Sequence, residues 1–249
     1  MMDLATAIPA LRRAMTPAAE AQAMARFARD PSLNRQMQAF ARAVERAPDL
    51  NAALRDPRVL GVLLPALGLP EGVNQAGLAA RALVADPKDP QGLLARLPDR
   101  RWKSVAETLN LAERGLEGLR DPKLHATLAD GLRRMAWRQE LDQRHPGIAD
   151  AMAFQERAGT VRGPYDVLGD PVLRRVVTGA LGLPPQLALQ SVEAQARTLN
   201  GRFDVAKLQD PRQAARMAER YLLAAGASAS PWGGGAAVLP GFPAGGLLA

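Results

Sequence analysis

Only two residues, His125 and His145, could act as imidazole metal ligands or as general bases near neutral pH, and the chain contains no cysteine. A metal centre among helices needs histidines and carboxylates at helical spacing, as in Glu-x-x-His. His125 follows Asp121 by four residues, a spacing more typical of a surface pair than of two ligands. His145 precedes Pro146 at a predicted helix start, where a turn position is the simpler interpretation. The sequence therefore predicts no metal site at either histidine.

Nucleophilic catalysis and phosphate binding have no recognisable motif. The chain lacks a Gly-x-Ser-x-Gly elbow, and serines such as Ser104 and Ser191 lie in helical patterns without a nearby base. The glycines at 233–235 follow no predicted strand and precede no Lys-Ser or Lys-Thr pair, so they indicate a linker and not a nucleotide-binding loop. We therefore predict that the protein is not an enzyme and has no catalytic residue and no cofactor.

Trp102 lies beside Arg100, Arg101 and Lys103, a group that could stack on a nucleic acid and neutralise its charge. The competing interpretation is a helix capped by Asp99 whose basic side chains face solvent and whose apolar face is buried. That apolar face would consist of Trp102, Val105, Ala106 and Leu109. Because the apolar spacing fits a helix well, we assign Trp102 to the core.

The formal net charge of +7 comes almost entirely from arginine, since lysine occurs only at positions 88, 103, 123 and 207. Such a charge could attract nucleic acid or an anionic membrane. The basic residues, however, are scattered singly or in pairs among acidic ones, as at Arg12-Arg13, Arg133-Arg134 and Arg174-Arg175. This scatter is typical of a solvated helical surface. We predict no nucleic-acid partner, and a basic nucleic-acid-binding protein remains an alternative function.

The sequence shows no membrane or secretion signal. Arg12-Arg13 follows a short mixed stretch and does not precede a long apolar run, which is the wrong order for a secretory signal. No segment reaches the roughly 18 uninterrupted apolar residues that a membrane span needs. We expect no membrane span and a cytoplasmic location.

The elements that would position any site are helices. Hydrophobic residues make up 47% of the chain but aromatic residues only 4%, a mixture that favours closely packed helices over sheets. Asp-Pro occurs at 30, 56, 86, 89, 121, 170 and 210, and Asp at the N-cap followed by Pro at the first helical position is typical of a helix start. Apolar residues follow at helical spacing, and Trp137 is assigned to the core with Leu132 and Met135. The predicted fold class is all-α.

An internal repeat at an offset of 114 residues is the strongest pattern in the chain. Nine of the 21 residues at 50–70 are identical to those at 164–184, including the run at 66–70, Ala-Leu-Gly-Leu-Pro. The register extends outward to Phe40 and Phe154, and a deletion of three residues aligns Asp99 with Asp210. We therefore predict two diverged copies of one multi-helix unit packed together. Their predicted bounds are 30–140 and 141–225, with a helical segment at 1–29 packed across them.

The repeated block has a direct physical interpretation. In the first copy Asp56 caps a short apolar helix, Gly68 supplies the left-handed residue that ends it, and Pro70 prevents its continuation. The second copy repeats all three residues at the same offset. Because position 65 is Pro and its counterpart is Gly179, we expect a kink or a short 3₁₀ finish in both helices.

Residues 226–249 form a predicted disordered tail. Glycine and proline are frequent there, and no charged residue follows Arg220. Trp232, Phe242 and Leu247 are large apolar residues that could contact a protein partner. We predict that these three residues bind a partner if the tail docks.

The repeated block also carries a family resemblance. The stretch from Arg58 to Leu111, with Asp99-Arg100-Arg101-Trp102 and Asn110-Leu111, resembles an alphaproteobacterial domain-of-unknown-function family, number twelve-seventeen. Residues 152–210 are similar to the second half of that family, although the family commonly has aromatic residues where this chain has Leu109 and Leu111. The resemblance covers about 25–225.

The resemblance implies an all-helical protein that is often encoded among flagellar genes, and it implies no catalytic residue. The expected function is that of a non-catalytic structural or adaptor protein of the bacterial flagellum, with a flagellar component as its protein partner. It would act in the cytoplasm, at the flagellar base or after export through it. The alternative is an enzyme whose site is assembled from scattered carboxylates and arginines.

Overall fold

The computed structural model describes residues 4–228, which fold into helices joined by short turns, without a strand in this range. The N-terminal helices are α1 (Leu4–Ala14) and α2 (Pro17–Phe27). The first half contains α3 (Pro31–Arg46), α4 (Leu50–Arg55), α5 (Pro57–Ala66), α6 (Ala76–Leu83), α7 (Leu93–Arg96), α8 (Arg101–Leu109), α9 (Leu111–Arg120) and α10 (Pro122–Arg144). The second half contains α11 (Ile148–Ala158), α12 (Pro164–Gly169), α13 (Pro171–Ala180), α14 (Val192–Arg202) and α15 (Pro211–Ser228). Three 3₁₀ helices lie at Pro70–Gln75, Pro185–Leu189 and Val205–Gln209. The prediction of an all-α fold is confirmed.

Most Asp-Pro pairs begin a helix, as predicted. α3, α5, α10, α13 and α15 each start at the proline of such a pair. The pairs at 86 and 89 do not: the carboxylate of Asp86 accepts a hydrogen bond from the Lys88 amide, and that of Asp89 accepts one from the Gln91 amide. Pro90 disfavours a helical conformation at the residue before it, so a helix cannot grow from Pro87. These two pairs form turns instead.

α5 and α13 end in the same way. Gly68 and Gly182 are both left-handed, with φ of 81° and 62°. In each helix the glycine N–H bonds to the carbonyl three residues earlier, and the next N–H reaches five residues back, at 2.8 Å in one case and 2.9 Å in the other. α5 and α13 end at Ala66 and Ala180, one residue beyond Pro65 and Gly179, where a kink or a short 3₁₀ finish was predicted. The departure from regular α-helical hydrogen bonds is confined to this tightened last turn.

The two halves use matching elements. The bounds of α4 and α5 plus 114 residues coincide with those of α12 and α13. Their long closing helices also correspond in packing, because α10 lies on α3 and α5 while α15 lies on α11 and α13. By sequence register, however, α15 aligns with α8, which packs on α6. The long helix that packs over the first half, α10, is therefore not the sequence counterpart of α15, which packs over the second half.

The hydrophobic core has two parts. The first is built from residues of 33–132, with Phe40 fully buried at its centre. The second is built around the equally buried Phe154 and also takes in Leu11, Ala23 and Trp137. α1 packs on α11 and α15, whereas α2 packs mainly on α10. The N-terminal helices thus lie across both halves, mostly over the second.

Two predicted boundaries differ from the structure. α10 continues through the expected break at 140/141 and ends at Arg144, so one helix joins the two cores. α15 extends to Ser228, beyond the predicted tail start at 226, because alanine on either side of Gly226 sustains the helix. The rest of the tail, with Trp232, Phe242 and Leu247, lies outside the described residues.

Within 4–228, none of the helices combines the length and the apolar character that crossing a bilayer requires.

Candidate functional site

The residues of the basic cluster around Trp102 lie in different places. Trp102 is in the core, and Arg101 is at the junction, the region where the two halves of the fold meet. Trp102 is only 6% exposed and packs so closely on Gly72 that a Cβ there would lie 2.7 Å from its ring, which confirms the assignment to the core. The prediction that all its basic neighbours face solvent is wrong for Arg101, whose side chain is 14% exposed, against 79% for Arg100. Arg101 lies where the two halves meet, so a nucleic acid could not reach it.

Arg101 connects the halves by several bonds. Its Nη1 donates to the Gly68 carbonyl at 2.8 Å, and its Nη2 donates to Asp99 at the same distance. Its Nε lies 3.7 Å from Oδ2 of Asp170, at the start of α13. Burial is the largest single influence and lowers the pKa of Arg101, but the Asp99 hydrogen bond and the charges of Asp170, Asp99 and Glu71 outweigh it and raise the pKa overall.

Asp170 is a buried carboxylate in this junction. Its Oδ1 accepts from the amides of Val172 and Leu173 and so caps α13, while its Oδ2 accepts from Nη1 of Arg157 at 2.6 Å. The backbone adds a close contact beside it, because a Cβ on Gly169 would lie 2.1 Å from the Pro98 carbonyl oxygen. Asp170 therefore serves the fold twice, as a helix cap and as the anion between two arginines.

A groove of about 400 Å³ runs along this junction, between α5, α10, α11 and α13. Five arginines border it: Arg101, Arg134, Arg138, Arg157 and Arg175. Three acidic residues, Glu71, Asp150 and Glu156, alternate with them. Glu71 Oε2 and Arg138 Nε are buried without a hydrogen-bond partner among the described residues. This junction groove is the site that an enzyme built from scattered carboxylates and arginines would use.

Two of the three carboxylates that border the junction groove are held by arginines. Asp150 accepts hydrogen bonds from Nε and Nη2 of Arg175, and Glu156 pairs with Arg138. Each of these two carboxylates therefore already has a charged hydrogen-bond partner. Neither histidine borders the groove. Among the described residues, no group of three or more His, Asp or Glu side chains could hold a metal ion.

The other residues singled out from the sequence have structural roles. The His125 Nε2 lies 2.8 Å from the Leu119 carbonyl, and its ring packs edge-on against Phe40. His145 lies in the turn after α10, as predicted. Ser191 caps α14 by accepting from the Ala194 amide, and Ser104 lies inside α8.

Tyr221 closes the far end of the junction. Its hydroxyl donates to Asp150 Oδ2 at 3.1 Å, and Arg175 binds the same carboxylate. Burial, followed by the charge of Asp150 and the hydrogen bond to it, raises the pKa of Tyr221 well above that of ordinary tyrosine. The hydrogen bond with Asp150 likewise raises the pKa of Arg175.

This arrangement predicts late ionisation of Tyr221. The only other tyrosine is Tyr165, so a Tyr165→Phe variant isolates the signal of Tyr221 in an ultraviolet pH titration. We expect phenolate to form clearly above the ordinary value of about 10. Folding favours the neutral hydroxyl of Tyr221. Its contribution to the stability of the fold is complete below a pH of about 10 and is lost as the pH rises through the raised pKa of Tyr221. Ionisation of Tyr221 at the ordinary value would contradict the assignment.

An apolar groove of about 820 Å³ lies between α13, the 3₁₀ helix Pro185–Leu189 and the end of α15. Gly182, Leu183, Leu187 and Ala224 are among its lining residues. Large apolar side chains of the same elements and of the start of α14 are exposed: Leu189 by 87%, Val192 by 50% and Leu223 by 47%. Arg174 borders the groove and has no ion-pair partner among the described residues. We call this site the α13–α15 groove.

Sequence reasoning found neither groove. The only signal for the junction was the position of Asp170 at the repeated helix start, which identified the cap but not its arginine partners. Arg100 and Arg101 are adjacent and chemically identical, so nothing local distinguishes the buried one. The α13–α15 groove depends on how α15 crosses α13, which no pattern within either helix reveals.

Fold and sites together define an all-helical protein with a charged internal junction and an exposed apolar groove, and with no group of three or more potential metal ligands in residues 4–228. The chain belongs to the family described as "Protein of unknown function (DUF1217)", which matches residues 34–214. This confirms the resemblance seen in the sequence.

A solved structure has the same fold. The crystal structure of protein AGR_C_984 from Agrobacterium tumefaciens is 19% identical in sequence, with a TM-score of 0.69, and the match covers 88% of this chain and 92% of that one. At this identity the likeness concerns the fold alone. No curated protein matches the chain.

Proposed function

We propose that the protein is a non-catalytic structural or adaptor protein that binds another protein through its helical surface. The observation that carries this proposal is the α13–α15 groove, whose lining includes Leu183, Ala188 and Ala224. Leu189 and Leu223, on two of the elements that form it, are exposed as well. Exposed apolar surface of this kind is typical of protein contacts. The arginine-bound carboxylates of the junction groove argue against the alternative of an enzyme.

The occupant that fits the α13–α15 groove is an amphipathic helix with an acidic residue beside its apolar face. The apolar lining would bury leucine-like side chains, and Arg174, which has no carboxylate partner in residues 4–228, would pair with the acid. The segment 229–249 carries no charged side chain and could not make that pair. Trp232, Phe242 and Leu247 remain a proposed second contact with the same partner.

The proposed partner is a component of the bacterial flagellum, and the proposed place of action is the flagellar base. Support for this part comes from the family, whose members are often encoded among flagellar genes. An origin of the two halves by internal duplication is also proposed, supported by the matching bounds of α4–α5 and α12–α13 and by the repeated glycine turn.

Swimming assays test the function. We expect a strain lacking the protein to swim poorly, and the wild-type gene to restore swimming. The double variant Ala188→Glu/Ala224→Glu should fail to restore it, because two carboxylates in the lining would make the α13–α15 groove unfavourable for an apolar and acidic partner.

The matched control is Val73→Glu. Val73 is 38% exposed in the corresponding 3₁₀ helix of the first half, Pro70–Gln75, outside the α13–α15 groove. It should restore swimming fully. Normal swimming and normal filaments in the deletion strain would refute the flagellar role, and full rescue by the double variant would refute the groove as the contact.

A further inference from the structure

A third depression, the N-terminal pocket, lies between α1, α2 and the last two turns of α10. Its volume is about 370 Å³, within the range of small-molecule sites. Its base is apolar, formed by alanines of α1 and α2 and by Trp137, which is only 6% exposed. Its rim is basic, with Arg13, Arg26, Arg144 and His145 around a single carboxylate, Glu140.

The charges of this rim do not balance. Glu140 is bound by Arg26 on one side and by Arg144 on the other, so one carboxylate serves two guanidinium groups. Arg13 has no ion-pair or hydrogen-bond partner for its side chain among the described residues, and neither has the His145 ring. Arg13, Arg26 and Arg144 with Glu140 give the rim two positive charges in excess, without counting His145.

Anion-binding sites have this composition. Guanidinium groups bind phosphate oxygens through two donors at once, and several of them around one depression fix a doubly charged oxyanion in place. The apolar base beneath such a rim would accept the uncharged part of an organic ligand. By contrast, every arginine of the junction groove has at least one carboxylate partner, and Arg101, which shares Asp170 with Arg157, also has Asp99 and Glu71.

We propose that the N-terminal pocket binds a small phosphate ester, with its phosphate held by Arg13, Arg144 and Arg26 and its organic part over the alanines and Trp137. This site is separate from the α13–α15 groove and does not depend on the proposed adaptor function. It would make the N-terminal helices, which join the second core, responsive to a metabolite.

Calorimetric titration of the full chain with phenyl phosphate tests the proposal. We expect saturable binding of one molecule, weakened about tenfold or more by Arg13→Ala and by Arg144→Ala, since each removes a charge-assisted hydrogen bond. Glu140→Gln should tighten binding, because it removes the only negative charge on the rim. Damage to the fold would not produce tighter binding, so this variant separates the site from a structural effect.

The matched control is Arg35→Ala. Arg35 is exposed on α3 and lies outside the pocket. Its replacement by alanine changes the net charge by the same amount as Arg13→Ala does. It should leave the affinity unchanged. The proposal is overturned if phenyl phosphate gives no saturable binding, if Arg35→Ala weakens binding as much as Arg13→Ala does, or if Glu140→Gln fails to tighten it.

Discussion

Gly131→Ala is expected to lower the melting temperature by about 10 °C. Gly131 lies in α10 directly over the end of α5, and a Cβ there would be 2.1 Å from the Ala66 carbonyl oxygen and 2.8 Å from its carbon. No side chain can rotate away, because the obstacle is backbone. The two helices would have to separate, at a cost of about 3 kcal/mol or more. The change in melting temperature is measured by thermal unfolding followed by circular dichroism.

Gly61→Ala is the control for this variant. Gly61 lies inside α5, and a Cβ there would meet nothing within 4 Å. The same substitution should therefore stabilise the protein by about 0.5–1 kcal/mol, since alanine restricts the unfolded chain and favours helix. Equal melting temperatures for the two variants would show that α5 and α10 do not approach as closely as described.

Asp170→Ala is expected to destabilise the protein by about 3–5 kcal/mol, because it leaves Arg157 without its carboxylate partner and removes one of the three carboxylates around Arg101. The residue is 7% exposed, and its loss also removes the cap of α13. Urea unfolding at neutral pH measures the change in the free energy of unfolding. Asp170→Asn should recover part of it, since an amide can still cap the helix but carries no charge.

Asp56→Ala tests the same cap in the other half. Asp56 caps α5, but its ion-pair partner is the exposed Arg58, two residues away. Removing it should cost only about 1 kcal/mol, the ordinary value of a cap. A similar loss for Asp56→Ala and Asp170→Ala would mean that the junction arginines do not depend on Asp170.

Local features of this fold were predictable from sequence because their causes are local. The start of α5 and of α13 follows from an aspartate and a proline, and their end follows from Gly68 and Gly182, whichever helices surround them. The burial of Trp102 followed from helical spacing alone. Each of these predictions used only residues that lie close together in the chain, within the length of one helix.

The sites were not predictable because they combine distant segments. Arg101 becomes buried only when Asp170 is brought against it, and nothing near Arg101 in the chain encodes that contact. The N-terminal pocket joins Arg13 to Arg144, and the α13–α15 groove joins Leu183 to Ala224. Even the strong repeat at an offset of 114 aligned α15 with α8, although α10 is the helix that occupies the equivalent place in the first half.

The division of the core has a consequence for synthesis on the ribosome. The buried residues of the first core lie within 33–132, and the part-buried side chains that pack on them extend only from Phe27 to Ala136, so this core can form while the second half is still being translated. Leu11, by contrast, is buried in the second core with Phe154 and Leu222, so its burial is complete only when almost the whole described chain has emerged. Helix α1 is thus made before the rest of the described helices and is among the last of them to be protected. The apolar face of α1 remains exposed through most of the translation of residues 4–228.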